Sequence, residues 1–287
     1  MGIRAFFHKI KMGFVRAGES SIPYVNEVKR YGNSGEDEFT YRLCRELPSC
    51  KIKRNVAILT PDGNAEIDCL VLHHNKLFAI EVKRWKGYLT ERDDGFLQEK
   101  TDRWTGETHT KLLKSPFKQF GRAIYLLRKQ IPIKAWVNAV VFFEDDELES
   151  VSAFSDNVWF DRYQDLVDYI SNDGKVSFGT SANDFFERCV PADYLYANAR
   201  GKSLHCIINR TTLRFKTPQG DISADNIDSI RISHHWSYAE LHITMADGSI
   251  KTITLENAKI QVSDNGRIST YALCKLDYIE LGRTLNR

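Results

Sequence analysis

The chain has 287 residues, 42% of them hydrophobic and 27% charged, with a formal net charge of +2. That length supports two domain-sized cores, and that balance excludes long disordered regions. No apolar run approaches the roughly 18 residues that a membrane-spanning helix needs, and neither an apolar stretch nor a cleavage site of a secretory signal is expected.

The net charge hides an asymmetry. Residues 1–130 carry 24 Lys and Arg against 16 Asp and Glu, and the remainder carries 16 against 22. A basic half surrounding an acidic cluster suits a polyanion held against carboxylates, whereas the bland alternative is a solvated basic surface. The six cysteines, at 44, 50, 69, 189, 206 and 274, form no Cys-x-x-Cys pair. They read as reduced thiols of a cytoplasmic protein.

In chain order, residues 1–29 form a basic segment with Ile3, Phe6, Phe7, Ile10 and Phe14 at helical spacing. It is expected to dock on the body or on a second protomer, with peripheral membrane contact by residues 1–16 as the other use. A helix follows from Ser34 or Gly35 to just before Pro48, with Phe39, Leu43 and Leu47 on one face. Residues 53–59 read as a strand and 61–64 as a turn.

Residues 64–87 then hold two apolar strands joined near His74-Asn75, each charged where a buried strand should not be. Asp68 lies in the first, and Glu81 and Lys83 in the second. Alternate residues of a strand share a face, so Glu81 and Lys83 point together while Ile80 and Val82 point into the core. Pairing through the turn brings Asp68 beside them.

Residues 87–105 read as a hairpin, and Ser115-Pro116 opens a helix to about residue 129 that buries Phe120, Ile124 and Leu127. An apolar strand is expected over 135–143, a solvated acidic loop over 144–149, a short strand over 157–160 and a helix over 163–170. Residues 30–172 therefore form a small α/β sandwich.

A linker with a short helix is expected over 173–200. Beyond it lie short alternating strands at 203–209, 211–217, 227–234, 239–246 and 250–255. A closing helix over 268–285 places Tyr271, Leu276 and Ile279 on one side.

Two carboxylates and a lysine on one sheet surface match the needs of phosphodiester hydrolysis. That reaction requires an activated water, neutralisation of charge on the phosphate and help for the leaving oxygen, much of which Mg²⁺ supplies. Asp68 and Glu81 would be ligands, the Val82 carbonyl a third, and Lys83 would hold or deprotonate the water. The structural alternative is an exposed cross-strand charge pair.

Asp68 followed by Glu81-x-Lys83 is similar to the PD-(D/E)XK nuclease pattern. The wider sequence resembles the nuclease-related domain NERD through Gly32-x-x-Gly35-Glu36, Glu66-Ile67-Asp68, Phe78-x-Ile80-Glu81-Val82-Lys83-x-Trp85-x-Gly87 and Ser115-Pro116-x-x-Gln119. The resemblance covers residues 30–172 and implies a restriction-endonuclease-like α/β (α+β) sandwich. It also implies Mg²⁺, with Mn²⁺ substituting, and Glu36 reaching the metal directly or through water. Gln119 would brace Lys83 or a phosphate. The tyrosine that exonuclease relatives carry four residues after this glutamine is missing, since Tyr125 is the next one.

Arg54, Arg84, Lys86 and Lys118 are candidate phosphate contacts. Trp85 reads as packing, Glu66 as a solvent-facing strand end, and the His73-His74 and His234-His235 pairs as turn or surface residues. Residues 201–287 resemble a PH-like or GRAM-like module, a mainly antiparallel β domain capped by a carboxy-terminal helix, in pattern only.

The implied function is a metal-dependent nuclease, with DNA as the substrate and internal cutting as the action, in bacterial defence against foreign DNA. A homodimer and a protein partner for the PH-like module go with it. Two alternatives stand beside it: an adaptor that grips nucleic acid or a partner without cutting, and an RNase.

Overall fold

The structure is a computed structural model that describes residues 38–102, 104–131, 134–154, 156–199, 202–208, 213–218, 220–235, 238–254, 259–264, 267–272 and 278–283. Residues 1–29, with their expected amphipathic helix, and Glu36 lie outside the described residues. The chain divides into two compact units, one of residues 38–60 and 65–191, the other of residues 61–64 and 192–283.

The first unit is built from α1 (residues 38–46), β1 (Lys51–Thr60), β2 (Gly63–His73), β3 (Lys76–Lys83), β4 (Gly87–Arg92), β5 (Gly95–Thr101) and β6 (Thr108–Leu113). After these come α2 (Pro116–Gln130), β7 (Val137–Phe143), β8 (Leu148–Ser152), β9 (Trp159–Phe160), α3 (Tyr163–Asn172) and α4 (Ser181–Arg188). Its main sheet has the order β1-β2-β3-β7-β9, antiparallel between β2 and β3 and parallel from β3 through β7 to β9. A second sheet, β6-β5-β4-β8, carries the expected hairpin and two further strands that residues 87–105 did not signal.

Helices cover both faces of the main sheet. Phe39 and Leu43 of α1, and Leu47 just after it, pack with Phe78, Ile80, Val82 and Phe142, and with Leu166 and Ile170 of α3. On the other face, Phe120, Ile124 and Leu127 of α2 and Phe185 and Phe186 of α4 pack with Leu77, Ala79, Val141 and Phe143. Covered on both sides, β3 is apolar without alternation, as a central strand must be. Each buried Leu, Ile or Phe contributes about 1.5–3 kcal/mol to this core.

Local chemistry fixes the helix ends. Ser115 caps α2 by accepting from Lys118 N, Pro116 takes the first turn, and Arg128 and Lys129 sit in the last turn against the helix dipole. Residues 173–191, expected as a linker, pack with the first unit, and α4 buries Ala182, Phe185 and Phe186. Lys53 of β1 secures this helix by donating to the carbonyls of Phe186, Glu187 and Cys189 at 2.7–2.9 Å.

The second unit comprises β10 (Asp193–Ala199), β11 (Lys202–Ile208), β12 (Arg214–Thr217), β13 (Gly220–Ser223), β14 (Ile227–His234), β15 (Ala239–Met245), β16 (Ile250–Thr254), β17 (Lys259–Asp264), β18 (Arg267–Ala272) and β19 (Tyr278–Arg283). Its pairings are all antiparallel, and Leu195, Phe215, Leu241, Ile243 and Ile260 centre its core.

Where a closing helix is expected over 268–285, the described residues 267–272 and 278–283 are strands instead. β18 pairs with β17, and β19 pairs with β10. Ile279 and Leu281 are both buried, a period of two that the wider spacing of Tyr271, Leu276 and Ile279 concealed.

His73, expected at a turn or on the surface, is buried, with Nδ1 3.2 Å from Cys50 Sγ and 3.4 Å from Ser49 Oγ. His235 does lie at the surface, stacked on Tyr238 and beside Glu240.

Two predictions follow from buried polar groups of the first unit. Asn138 donates to the carbonyls of Leu77 and Lys175 and accepts from Lys175 N at 2.8 Å. Asn138→Ala orphans these groups and should cost about 2–3 kcal/mol, read as a lower denaturant midpoint at unchanged slope.

Burial, then the neighbouring His74 and Lys76, lower the His73 pKa below its ordinary 6.5. The unfolded chain therefore takes up the proton first. Stability should be fully present above about pH 6.5 and fall as the pH drops below it. His73→Gln should flatten that fall in urea titrations at a series of pH values.

Candidate active site

The charged residues of β2 and β3 meet where the pairing of these two strands ends, while β3 goes on pairing with β7 to Lys83. The β2–β3 register runs from His73↔Lys76 to Cys69↔Ile80, which leaves Asp68 and Glu81 as the next opposed pair. There the backbone ladder gives way to a side chain, because the Asp68 Oδ2 carboxylate oxygen accepts from Val82 N at 2.9 Å. Alternation in β2 breaks at the same place. Cys69 and Val71 face the α1 side and Leu70 and Leu72 the α2 side, yet Ile67 also packs on the α2 side.

Glu81 is only 5% exposed, in a strand otherwise apolar from Leu77 to Val82. Lys83, two residues on and so on the same face, donates to Glu81 Oε1 at 2.5 Å. A carboxylate this deeply placed needs such a partner, since an unpaired buried charge costs several kcal/mol. Leu77 and Ala79 share this alternation and pack towards α2, so Glu81 and Lys83 lie on the α2 side of the sheet.

A collar of ion pairs surrounds the strand end. Glu144, the first residue after β7, donates its N–H to the Lys83 carbonyl at 3.0 Å and pairs through its carboxylate with Arg42 of α1. The Arg42 guanidinium lies 4.0 Å over the Tyr163 ring at the start of α3. Arg84 reaches Asp145 at 3.7 Å and Glu38 of α1 at 4.0 Å. The Asp145 side chain is 2% exposed and that of Arg84 16%. Burial raises the Glu144 pKa above the usual glutamate value, opposed by Arg42 and Arg84 and reinforced by Glu38 and Asp146.

The start of the acidic run is therefore an internal part of the fold rather than a solvated loop. Arg84, expected as a phosphate contact, is committed to carboxylates. No local sequence signal marked this collar, because Arg42 on α1 and Arg84 just after β3 lie far in sequence from the acids that follow β7.

The other candidates are spread out. Gln119 is exposed on α2 and makes no hydrogen bond with Lys83. Lys86 pairs with Glu147 at 2.7 Å, and Lys118 donates to the Asp93 carbonyl at 2.7 Å, tying α2 to the β4–β5 turn. Arg54 is half-buried on β1. Glu66 accepts from Asn55 Nδ2 at 3.0 Å, which occupies it within the sheet.

Trp85 packs edge-on against Phe96 and tilted against Phe143, as its packing role requires. Gly87, two residues on, has φ +78°, and a Cβ there would collide with the Glu99 carbonyl oxygen.

The donor set fits a hard divalent cation. Asp68 and Glu81 offer carboxylate oxygens on adjacent strands, and Mg²⁺ typically takes one or two carboxylates while keeping several waters. Among the described residues no three His, Cys, Asp or Glu side chains converge for a metal, so a third protein oxygen must come from the backbone or from elsewhere in the chain.

Removing the Arg84 guanidinium takes the ion partner from the Asp145 carboxylate, whose side chain is 2% exposed, and leaves it the Glu147 N–H at 3.0 Å. Arg84→Ala should cost about 2–3 kcal/mol of stability, measured by urea unfolding, whereas a surface phosphate contact would cost almost nothing.

Among the described residues no helix is long and apolar enough to cross a membrane. No curated protein and no solved structure matches the chain. Residues 31–144, which contain α1, Asp68, Glu81, Lys83, α2 and β7, match the family model described as nuclease-related domain, NERD.

Proposed function

We propose that the chain is a Mg²⁺-dependent nuclease that cuts DNA internally. The observation that carries this reading is the junction of β2 and β3. A carboxylate replaces the ladder there, beside a buried glutamate whose charge is balanced by a lysine on the same face. An ordinary sheet gains nothing from ending this pairing with a carboxylate, and a buried glutamate that needs its own lysine partner is a costly feature of the kind found at functional sites.

Asp68, Glu81 and the Val82 carbonyl would hold the cation, with Glu36 reaching it directly or through water. When bound, Mg²⁺ supplies charge neutralisation at the phosphate and lowers the pKa of a coordinated water; Mn²⁺ would substitute. Asp68 is oriented for this by Val82 N, which fixes one carboxylate oxygen and so the direction of the other. Glu81 is held by Lys83 and shielded from water by its burial. Lys83 would position the attacking water, and would take its proton only as the neutral amine, once the cation rather than Lys83 balances Glu81. Gln119, exposed at the start of α2, is available to a phosphate rather than to Lys83.

The close Lys83–Glu81 pair also favours a second reading, a fold that grips nucleic acid without cutting, because an ammonium already balances the glutamate. One experiment separates the two. Purified chain should nick circular DNA with Mg²⁺ or Mn²⁺ and stop on chelation. Asp68→Ala, Glu81→Ala and Lys83→Ala should each lower the rate by at least about a hundredfold at unchanged fold. Wild-type-level cutting by Lys83→Ala would overturn the site. Salt-sensitive binding without hydrolysis under any divalent ion would establish the gripping fold, and a parallel RNA substrate tests the RNase alternative.

A further inference from the structure

Between Glu107 and Glu144 the chain holds seven Lys and Arg and not one Asp or Glu. This stretch contains β6, α2 and β7. On α2, Lys118, Arg122, Tyr125 and Lys129 are all exposed and recur at i, i+4, i+7 and i+11, so they form a single stripe along the helix. The Lys129 ammonium sits 4.7 Å from the Tyr125 ring centre. Fifteen residues make this helix about 22 Å long.

The stripe has a direction. Six residues separate the end of α2 from the start of β7, which runs parallel to β3. α2 therefore runs opposite to both strands. Its first turn lies towards the end of the sheet that carries Glu81 and Lys83, on the face those side chains share.

Its last turn leads to an aromatic platform. Trp136 is 42% exposed, with the Lys175 ammonium 4.1 Å and the Arg128 guanidinium 5.7 Å from its ring. Beside it Phe178 is 76% exposed, and its N–H donates to the Lys134 carbonyl at 3.0 Å.

The platform is built rather than loose. Ser177 is buried between the outward-facing Val176 and Phe178, accepting from Trp136 N at 2.9 Å and donating its own N–H to the Asn75 carbonyl at 2.9 Å. Asn75 Nδ2 donates to the carbonyls of Ser177 and Gly179 at 2.6 Å each, and Asn138 holds Lys175 N. At Gly174, φ is +80° and a Cβ would sit 2.8 Å from the Phe78 ring. Such fixing presents Phe178 to solvent with little entropy left to lose on binding.

We propose that the acid-free face of α2 and the Trp136–Phe178 platform form a track for a single strand of nucleic acid, leading away from the Asp68–Glu81–Lys83 site. Spaced cations without intervening acids fit a ligand with regularly spaced negative charge. An exposed ring stacks on a base only if that base is not already stacked in a duplex. A lipid surface fits less well, because the apolar side chains are confined to one end of a long polar stripe. The track rests on the nuclease reading only for its direction; binding to it needs no cutting.

Fluorescence anisotropy with the full chain in chelator tests the track, using short single-stranded DNA, single-stranded RNA and duplex DNA. Phe178→Ala should weaken single strands about tenfold and duplex by no more than about twofold. Lys129→Ala should weaken all three and lower the salt slope by about one. The tighter of the DNA and RNA arms identifies the strand. Phe178 is a surface residue, so an unchanged unfolding midpoint is expected beside the binding loss.

Single-strand affinity within about twofold of wild type in Phe178→Ala would overturn the platform. So would a Phe178-dependent attachment to anionic vesicles with no effect on single strands. A wild type that binds along the track but never cuts would sink the nuclease reading and leave the track standing.

Discussion

Burial of the Glu81 carboxylate is the constraint around which the first unit is arranged. At 5% exposure in the central strand of a sheet covered on both faces, its charge survives only with a partner close by. Lys83 supplies that partner from the same face, a consequence of strand alternation and of nothing more distant. The strand must then end here, because one more apolar residue in register would bury Lys83 as well. Arg84 and Glu144 instead turn the chain into a set of ion pairs at the sheet's edge. Asp68 completes the change by accepting the Val82 N–H, so the backbone leaves its ladder without leaving a donor unmet.

The two strands and their charges were legible in the sequence because both signals are local. Alternation tells which of residues 80–83 share a face, and a turn at His74-Asn75 sets the register. Helix α2 was legible for the same reason, since a Ser-Pro start and an apolar period of 3.6 are written within fifteen residues.

The collar was not. Glu144 and Asp145 open a run of acids that resembles any solvated loop, and their partners stand 102 and 61 positions away, at Arg42 and Arg84. No spacing rule connects residues so distant; only the parallel placement of β7 beside β3 does. The closing helix failed differently. Tyr271, Leu276 and Ile279 satisfy a helical wheel, but strands are decided by what pairs with them, and β10 and β17 each offer an open edge.

The collar and the basic stripe solve one electrostatic problem. On the proposed nuclease reading, a site that gathers a divalent cation would have to keep its carboxylates from being neutralised by the basic residues that attract a polyanion. The Arg42 and Arg84 guanidinium groups are spent on Glu144 and Asp145, and Lys83 faces Glu81. The cations proposed to meet phosphate stand instead on α2, which has no acid of its own. That helix is about 22 Å long, more than two screening lengths at physiological salt, where the Debye length is about 8 Å. Its far end therefore adds affinity without competing for the carboxylates. Only its first turn, with Gln119 uncharged and Lys118 held by the Asp93 carbonyl, comes close to the site.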